Sequence, residues 1–236
     1  MNRKIFVVLA VVLLIIITGC TYEKKETISD AAKFKKEYES VNDKEVAGTD
    51  FTYRKLEIPS ENPFVYATEA DIVNKMDNGE SFVVYFGFAR CPWCRSVLPT
   101  LIEVGKDLGI DKIYYVDVSE IRDTLDVDDD GKVVTVKEGS EGYLALLEKL
   151  DGVLDDYTLI VDDEEIETGE KRIYAPNVIS VVNGKAKELE TGISEKQDDA
   201  YMELTDEMKE ETYNKFKCSI NCVLKSKNSC SSKNAC

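Results

Sequence analysis

The residues best equipped for chemistry in this chain are Cys91-Pro92-Trp93-Cys94, which follow closely on the apolar run Phe82-Val83-Val84-Tyr85-Phe86. That run reads as a buried strand, and a strand that empties into a C-x-x-C at the mouth of a helix is a redox arrangement. The partial positive charge of a helix N-terminus stabilises a thiolate placed there. Pro92 suits the first helical position, where its missing N–H would have had no partner. Arg90 and Arg95 flank the pair and are expected to favour the anion further. The spacing implies an exposed Cys91 as the attacking sulfur and a shielded Cys94, one turn in, as the resolving thiol. Trp93 offers a flat surface to a client chain or packs onto the domain; both readings stand. The alternative is half of a structural zinc site, but this needs a second ligand pair, and the chain contains no histidine. The same absence removes Ser-His, Cys-His and His-metal mechanisms. Cysteine is left as the obvious nucleophile, working without a bound cofactor or metal.

Composition sets the context. The 236 residues suit one domain with extensions, and the formal charge of −16 argues against nucleic acid and against a polybasic membrane patch. At the N-terminus, Asn2-Arg3-Lys4 precedes an uncharged run from Ile5 to Ile17, too short to span a bilayer, where about 20 residues are needed. It ends in Ile17-Thr18-Gly19-Cys20, which resembles the lipobox of bacterial lipoproteins. That resemblance implies a signal peptide over residues 1–19, lipidation of Cys20, and a cell-membrane anchor facing the extracytoplasmic side. An ordinary secretory signal with an incidental cysteine is the alternative. Cleavage would take away Arg3 and Lys4 and leave the mature charge at −18. Outside the cytoplasm paired cysteines tend to be oxidised.

Residues 20–62 read as a tether and N-terminal extension, in which Phe34, Tyr38 and Val41 mark a short amphipathic helix after Ser29-Asp30. An extended segment through Phe51, Tyr53, Leu56 and Ile58 is expected to pack on the domain. The compact domain is expected over residues 63–217. Phe64-Val65-Tyr66 reads as a strand, and Thr68 caps a helix carrying Ile72, Val73 and Met76 that Gly79 ends. After Cys94, Val97, Leu98, Leu101, Ile102 and Leu108 recur at helical spacing around a kinking Pro99. Lys112 to Val118 reads as the next strand, so strand–helix–strand implies a parallel pair with a right-handed crossover.

FVVYFGFARCPWCRSVLPTL resembles the active-site strand and helix of the thioredoxin superfamily, including Pro99 five residues after the second cysteine. Ala175-Pro176-Asn177-Val178-Ile179-Ser180-Val181-Val182-Asn183-Gly184 resembles that superfamily's cis-proline strand and its following turn, and Gly192 matches a glycine before the final helix. These matches cover residues 63–118 and 172–216. They imply an α/β, thioredoxin-like fold: a central mixed sheet flanked by helices, with an inserted lobe (119–172) between the third strand and the cis-proline strand. They also imply a cis bond at Pro176, with neighbouring backbone free to pair with a client beside Cys91; a trans proline opening an edge strand is the other reading. Tyr85 is a departure. Six residues before the first cysteine, thioredoxins place a buried aspartate that takes the resolving thiol's proton, and a phenol with a pKa near ~10 is a poor base. More narrowly, the lipobox, the Pro-Trp dipeptide and the acidic insertion resemble the bacteriocin-transport-accessory type from Gram-positive bacteria.

Within the insertion, Asp126-x-Asp128-x-Asp130-Gly131 mimics the opening of a calcium loop, but its twelfth position is Lys137, and a turn between two strands explains the same residues. Gly142 to Leu150 reads as a helix, and Tyr157 to Val161 is expected to pair with Arg172 to Tyr174 across Thr168-Gly169. A last helix starts at Thr205 and buries Met208, Thr212, Phe216 and Ile220. On it Cys218 and Cys222 are expected to face outward, toward a tail (218–236) carrying Cys230 and Cys236. A nested pairing of Cys222–Cys230 inside Cys218–Cys236, a four-thiolate zinc site, and a relay to the active site are all open. The expected function is an anchored thiol–disulfide oxidoreductase with protein thiol or disulfide clients and a separate redox partner. The competing readings are a non-catalytic module holding a secreted peptide and, less well supported without histidine, a metal chaperone.

Overall fold

The computed structural model describes residues 28–228. Its organising strand is β2 (Phe82–Gly87), buried at every position, as an apolar run without polar alternation requires. β3 (Ile113–Asp117) pairs with it in parallel on one side, and β8 (Asn177–Val182) pairs antiparallel on the other. β1 (Phe64–Tyr66) extends the parallel half and β9 (Lys185–Glu190) the antiparallel half, giving the order β1-β3-β2-β8-β9. α3 (Pro92–Asp107) and α5 (Asp206–Asn228) cover one face; α2 (Glu69–Asp77) and α4 (Glu141–Leu150) cover the other. This is a mixed sheet between helices with a thioredoxin-like topology, as expected.

Local signals explain the joints. Thr68 and Asp71 form a reciprocal capping box at the start of α2. Asn183 and Gly184 take positive φ (50° and 74°) in the tight β8–β9 turn, where only residues tolerant of that region fit. Gly192 has φ 71°, and a Cβ there would lie 2.1 Å from the Phe216 ring, so the loop and α5 can meet closely only at a glycine.

The extension is not a tether from Asp30 onward. α1 (Asp30–Glu39), capped by the Ser29 hydroxyl, buries Phe34 and Tyr38 in the same cluster as β1, β2, β3 and α3. Phe34 stacks on Phe64 (centroids 4.0 Å) and on Tyr38 (4.4 Å). Leu56 and Ile58 join them, so the core begins about thirty residues before Pro63. The spacing of Phe34 and Tyr38 marked the helix, and the charged residues around it hid that this helix packs into the main core.

The insertion holds two hairpins around α4. β4 (Thr124–Val127) pairs with β5 (Val133–Lys137), and the acidic run forms their turn, where Asp128 accepts from the amides of Asp130 and Lys132. β6 (Asp155–Val161) pairs with β7 (Glu164–Arg172) across Asp162-Asp163, both at positive φ, and not across Thr168-Gly169. Thr168-Gly169 lies within β7, opposite a register shift between Asp156 and Thr158. Two aspartates, which tolerate the left-handed region, took the turn that the glycine was expected to make. On α5, Met208, Thr212, Phe216 and Ile220 are buried as expected. Cys218 is exposed, but Cys222 is buried, contrary to the outward placement expected for both. No described helix is long and apolar enough to cross a membrane. Residues 1–19, Cys20, Cys230 and Cys236 lie outside the described residues.

Because Phe34 is fully enclosed, Phe34→Ala is expected to lower unfolding free energy by about 3 kcal/mol in urea titrations. A loss under about 1 kcal/mol would mean that α1 is not part of the core.

Candidate active site: a dithiol where β2 meets α3

Cys91 is the N-cap of α3, and its sulfur accepts the Cys94 amide N–H at 3.1 Å. The Cys91 thiol also donates to the Ala175 carbonyl at 3.3 Å. The Ala175-Pro176 bond is cis, and Asn177 then begins β8 opposite Phe86. The structure therefore brings the Cys91–Cys94 turn and Pro176 together from two stretches far apart in the chain. Pro92 and Trp93 lie half-buried on the first turn of α3. Cys91 is only 4 % exposed, which corrects the expectation of an open sulfur; Cys94 is fully enclosed. In the loop before α5, Tyr201 stacks on Phe51 at 4.4 Å, and burial first, with the charge of Cys91 among the lesser causes, raises its pKa.

The two sulfurs are driven apart in acidity. For Cys91, burial alone would raise the thiol pKa. Hydrogen bonding from the Cys94 thiol, the backbone N–H groups of Cys94 and Trp93, and the Arg122 guanidinium outweigh that and hold it below the ordinary value. Burial raises the Cys94 thiol well above its usual range, and the hydrogen bond with Cys91 and its charge raise it further. One sulfur is set up to attack and the other to keep its proton until needed.

The flanking arginines do not act as expected. Arg90 is exposed, and Arg95 is buried and turned away from the sulfurs. Its guanidinium donates to the carbonyls of Tyr38 (2.9 Å), Ala89 (3.0 Å) and Arg54 (2.9 Å) and to the Asn42 side chain (2.6 Å). Arg95 thus ties α3 to the N-terminal extension, a buried charge satisfied by carbonyls. The cation that reaches Cys91 is Arg122, half-buried in the insertion and lying over the Phe88 ring at 5.3 Å. Its neighbour Arg172 is occupied by Asp123 (3.4 Å) and by the Tyr157 ring, 3.9 Å from its guanidinium carbon. The signal for Arg122 was faint: a lone cation in a strongly acidic stretch.

Tyr85 is fully buried with its hydroxyl 3.1 Å from that of Tyr38. Burial, then the charges of Cys94 and Cys91, push its pKa well up, so it is no base. Hydrogen bonding from it nevertheless favours the Cys94 thiolate. Among the described residues, no group of three or more His, Cys, Asp or Glu side chains is placed to hold a metal ion. Of the tail cysteines, Cys218 is exposed and Cys222 buried on α5, and Cys230 and Cys236 lie outside the described residues.

No protein family matches the chain, and no curated protein matches it. Among solved structures it is similar to thioredoxin O2 from Arabidopsis thaliana in its oxidized state, at 18 % identity and a TM-score of 0.30, over 54 % of this chain and 81 % of that one. So loose a superposition transfers nothing to the site, whose chemistry is read from its own geometry.

Removing the Arg122 charge takes away an attraction that favours the anion, so the Cys91 pKa must rise. Arg122→Gln is expected to move the pH profile of Cys91 alkylation to higher pH and to slow alkylation at neutral pH by roughly threefold. Arg90→Gln, at an exposed position, is expected to leave the profile in place; a matching shift in both variants would contradict the assignment.

Proposed function

We propose that this protein is a membrane-anchored, extracytoplasmic thiol–disulfide oxidoreductase working through Cys91 and Cys94. The observation that carries the reading is a cysteine pair at a strand–helix junction in which the Cys91 sulfur caps the helix and accepts the Cys94 amide, with the two thiols pushed to opposite acidities. The Cys91 thiolate attacks a client disulfide, forming a mixed disulfide and expelling one client thiolate. The sulfur of Cys94, on losing its proton, then attacks Cys91, closes the Cys91–Cys94 disulfide and releases the second client thiolate. The client gains two electrons, and a separate thiol partner must return them to the protein. Run in reverse, the same steps oxidise a dithiol client. The Ala175 carbonyl, bonded to the resting Cys91 thiol, is freed when that thiol reacts and is then able to accept from a client backbone. The address rests on the basic n-region, the uncharged run and Cys20, and the clients are protein thiols or disulfides on that side of the membrane.

One observation favours a second reading, a static disulfide in a peptide-holding module: Cys91 is 4 % exposed. The two differ in reduction potential. Exchange requires a Cys91/Cys94 potential above about −300 mV, and a structural bond lies below it. In cells, Cys94→Ser is expected to accumulate covalent adducts through Cys91. A potential below that limit together with no adducts would overturn the exchange reading in favour of the static one.

A further inference from the structure

The exchange steps above leave unused an aromatic pair tied to the first turn of α3. Phe51 lies in the turn closed by the Glu45–Thr52 bridge, where its carbonyl accepts the Val46 N–H at 2.9 Å and its own N–H donates to the Thr49 hydroxyl at 3.2 Å. Tyr201 lies in the loop before α5, with its N–H donating to the Asp199 carboxylate at 2.9 Å. The two rings stack with 3° between their planes and centroids 4.4 Å apart. Phe51 is still 47 % exposed, so the stack covers only part of its ring. Two hydrogen bonds make the tie. The Arg54 carbonyl accepts from Arg95 Nε at 2.9 Å, and the Arg54 guanidinium donates to the Met202 carbonyl. Arg95 directly follows Cys94, Met202 directly follows Tyr201, and Phe51 is three residues from Arg54, a span of at most about 11 Å.

Charge decides what these rings can receive. Within residues 43–51 three carboxylates stand against Lys44 alone, and residues 198–204 hold Asp198, Asp199 and Glu203 without a cation. Among the described residues, none of Asp50, Asp199 and Glu203 is in an ion pair. Nor does any cation of the described chain lie over Phe51 or Tyr201, as Lys33 lies over Tyr66 at 3.6 Å. An apolar partner would leave those carboxylates without a counter-charge. A lysine or arginine suits both features, because a ring face attracts a cation and the acids around it balance the charge. We propose that Phe51 and Tyr201 form a docking platform for a lysine or arginine side chain of the client, a few residues from the client cysteine that reacts with Cys91. The inference rests on the exchange reading and adds the client's chemistry to it. A cation–ring contact at an exposed site contributes about two- to fivefold in affinity. That is too little to hold a client by itself, and enough to sort clients that also react at Cys91. The N-terminal extension thereby takes part in client choice as well as in packing.

Blocked peptides measure the preference: each carries a cysteine as its thionitrobenzoate disulfide, with lysine, norleucine or glutamate about two to five residues away. Attack by the Cys91 thiolate on the peptide sulfur forms the Cys91–peptide disulfide and expels the coloured thionitrobenzoate anion. At low salt the best-placed lysine peptide is expected to react about fivefold faster than its norleucine counterpart, and this ratio is expected to fall at high salt. Phe51→Leu changes no charge and is expected to cut the lysine-to-norleucine ratio at least about twofold. Asp199→Asn, which keeps an acceptor for the Tyr201 N–H, is expected to cut it as well. Glu164→Gln removes the same charge from an exposed position at the start of β7 and is expected to leave the ratio in place. Steering by net charge alone would treat these two acidic variants alike. Equal rates for the lysine and norleucine peptides, or a ratio that Phe51→Leu does not change, overturn the platform alone. Absence of thionitrobenzoate release from every peptide by the reduced protein overturns the exchange reading, and the platform with it.

Discussion

Two thiols one helix turn apart in a site nearly closed to water cannot both be anions, because the second charge would face the first with little solvent to screen it. The rest of the site decides which sulfur takes the single charge. Cys91 caps a helix and receives the Cys94 amide, so its anion is partly solvated by backbone. Cys94 is buried one turn deeper, where an anion has only a phenol and little else. The asymmetry follows from position along one helix turn, and β2 fixes that position by ending just before it.

Both additions to the minimal architecture act on this pair. The insertion supplies Arg122, a side-chain cation that lowers the Cys91 pKa, while its neighbour Arg172 is neutralised by Asp123. The extension is held against α3 by Arg95, whose carbonyl partners span Tyr38, Ala89 and Arg54. Unpairing so many buried acceptors would cost about 1–3 kcal/mol for each one left without a donor, so the sequence keeps an arginine next to the resolving cysteine for structural reasons. That same clamp places Tyr38 against Tyr85.

Much of this was legible in the residues because it depends on local signals. The C-x-x-C, the apolar β2, the Asn-Gly turn and the spacing of Met208, Thr212, Phe216 and Ile220 each carry their own physics over a few positions. What could not be read depends on contacts far apart in the chain. Arg95 looked like an electrostatic neighbour by sequence distance, but its guanidinium points to carbonyls 6 to 57 positions away. Arg122 stands 31 positions from Cys91, and only the folding of the insertion beside the helix end brings its charge to bear. Phe34 and Tyr38 sit in a charged stretch whose overall polarity suggested a tether, though their four-residue spacing already marked a buried face. Tyr85 was recognised as a poor base, and the hydroxyl that it meets belongs to Tyr38, 47 residues upstream.

The central claim is that one thiol of the pair is acidic and the other is not. Reduced protein labelled with ¹³C at the cysteine β-carbons reports each titration separately by NMR. The account predicts that the Cys91 signal moves at a pH below the ordinary thiol value of about 8.5 and that the Cys94 signal moves only far above it. Two signals titrating together near that ordinary value would contradict it.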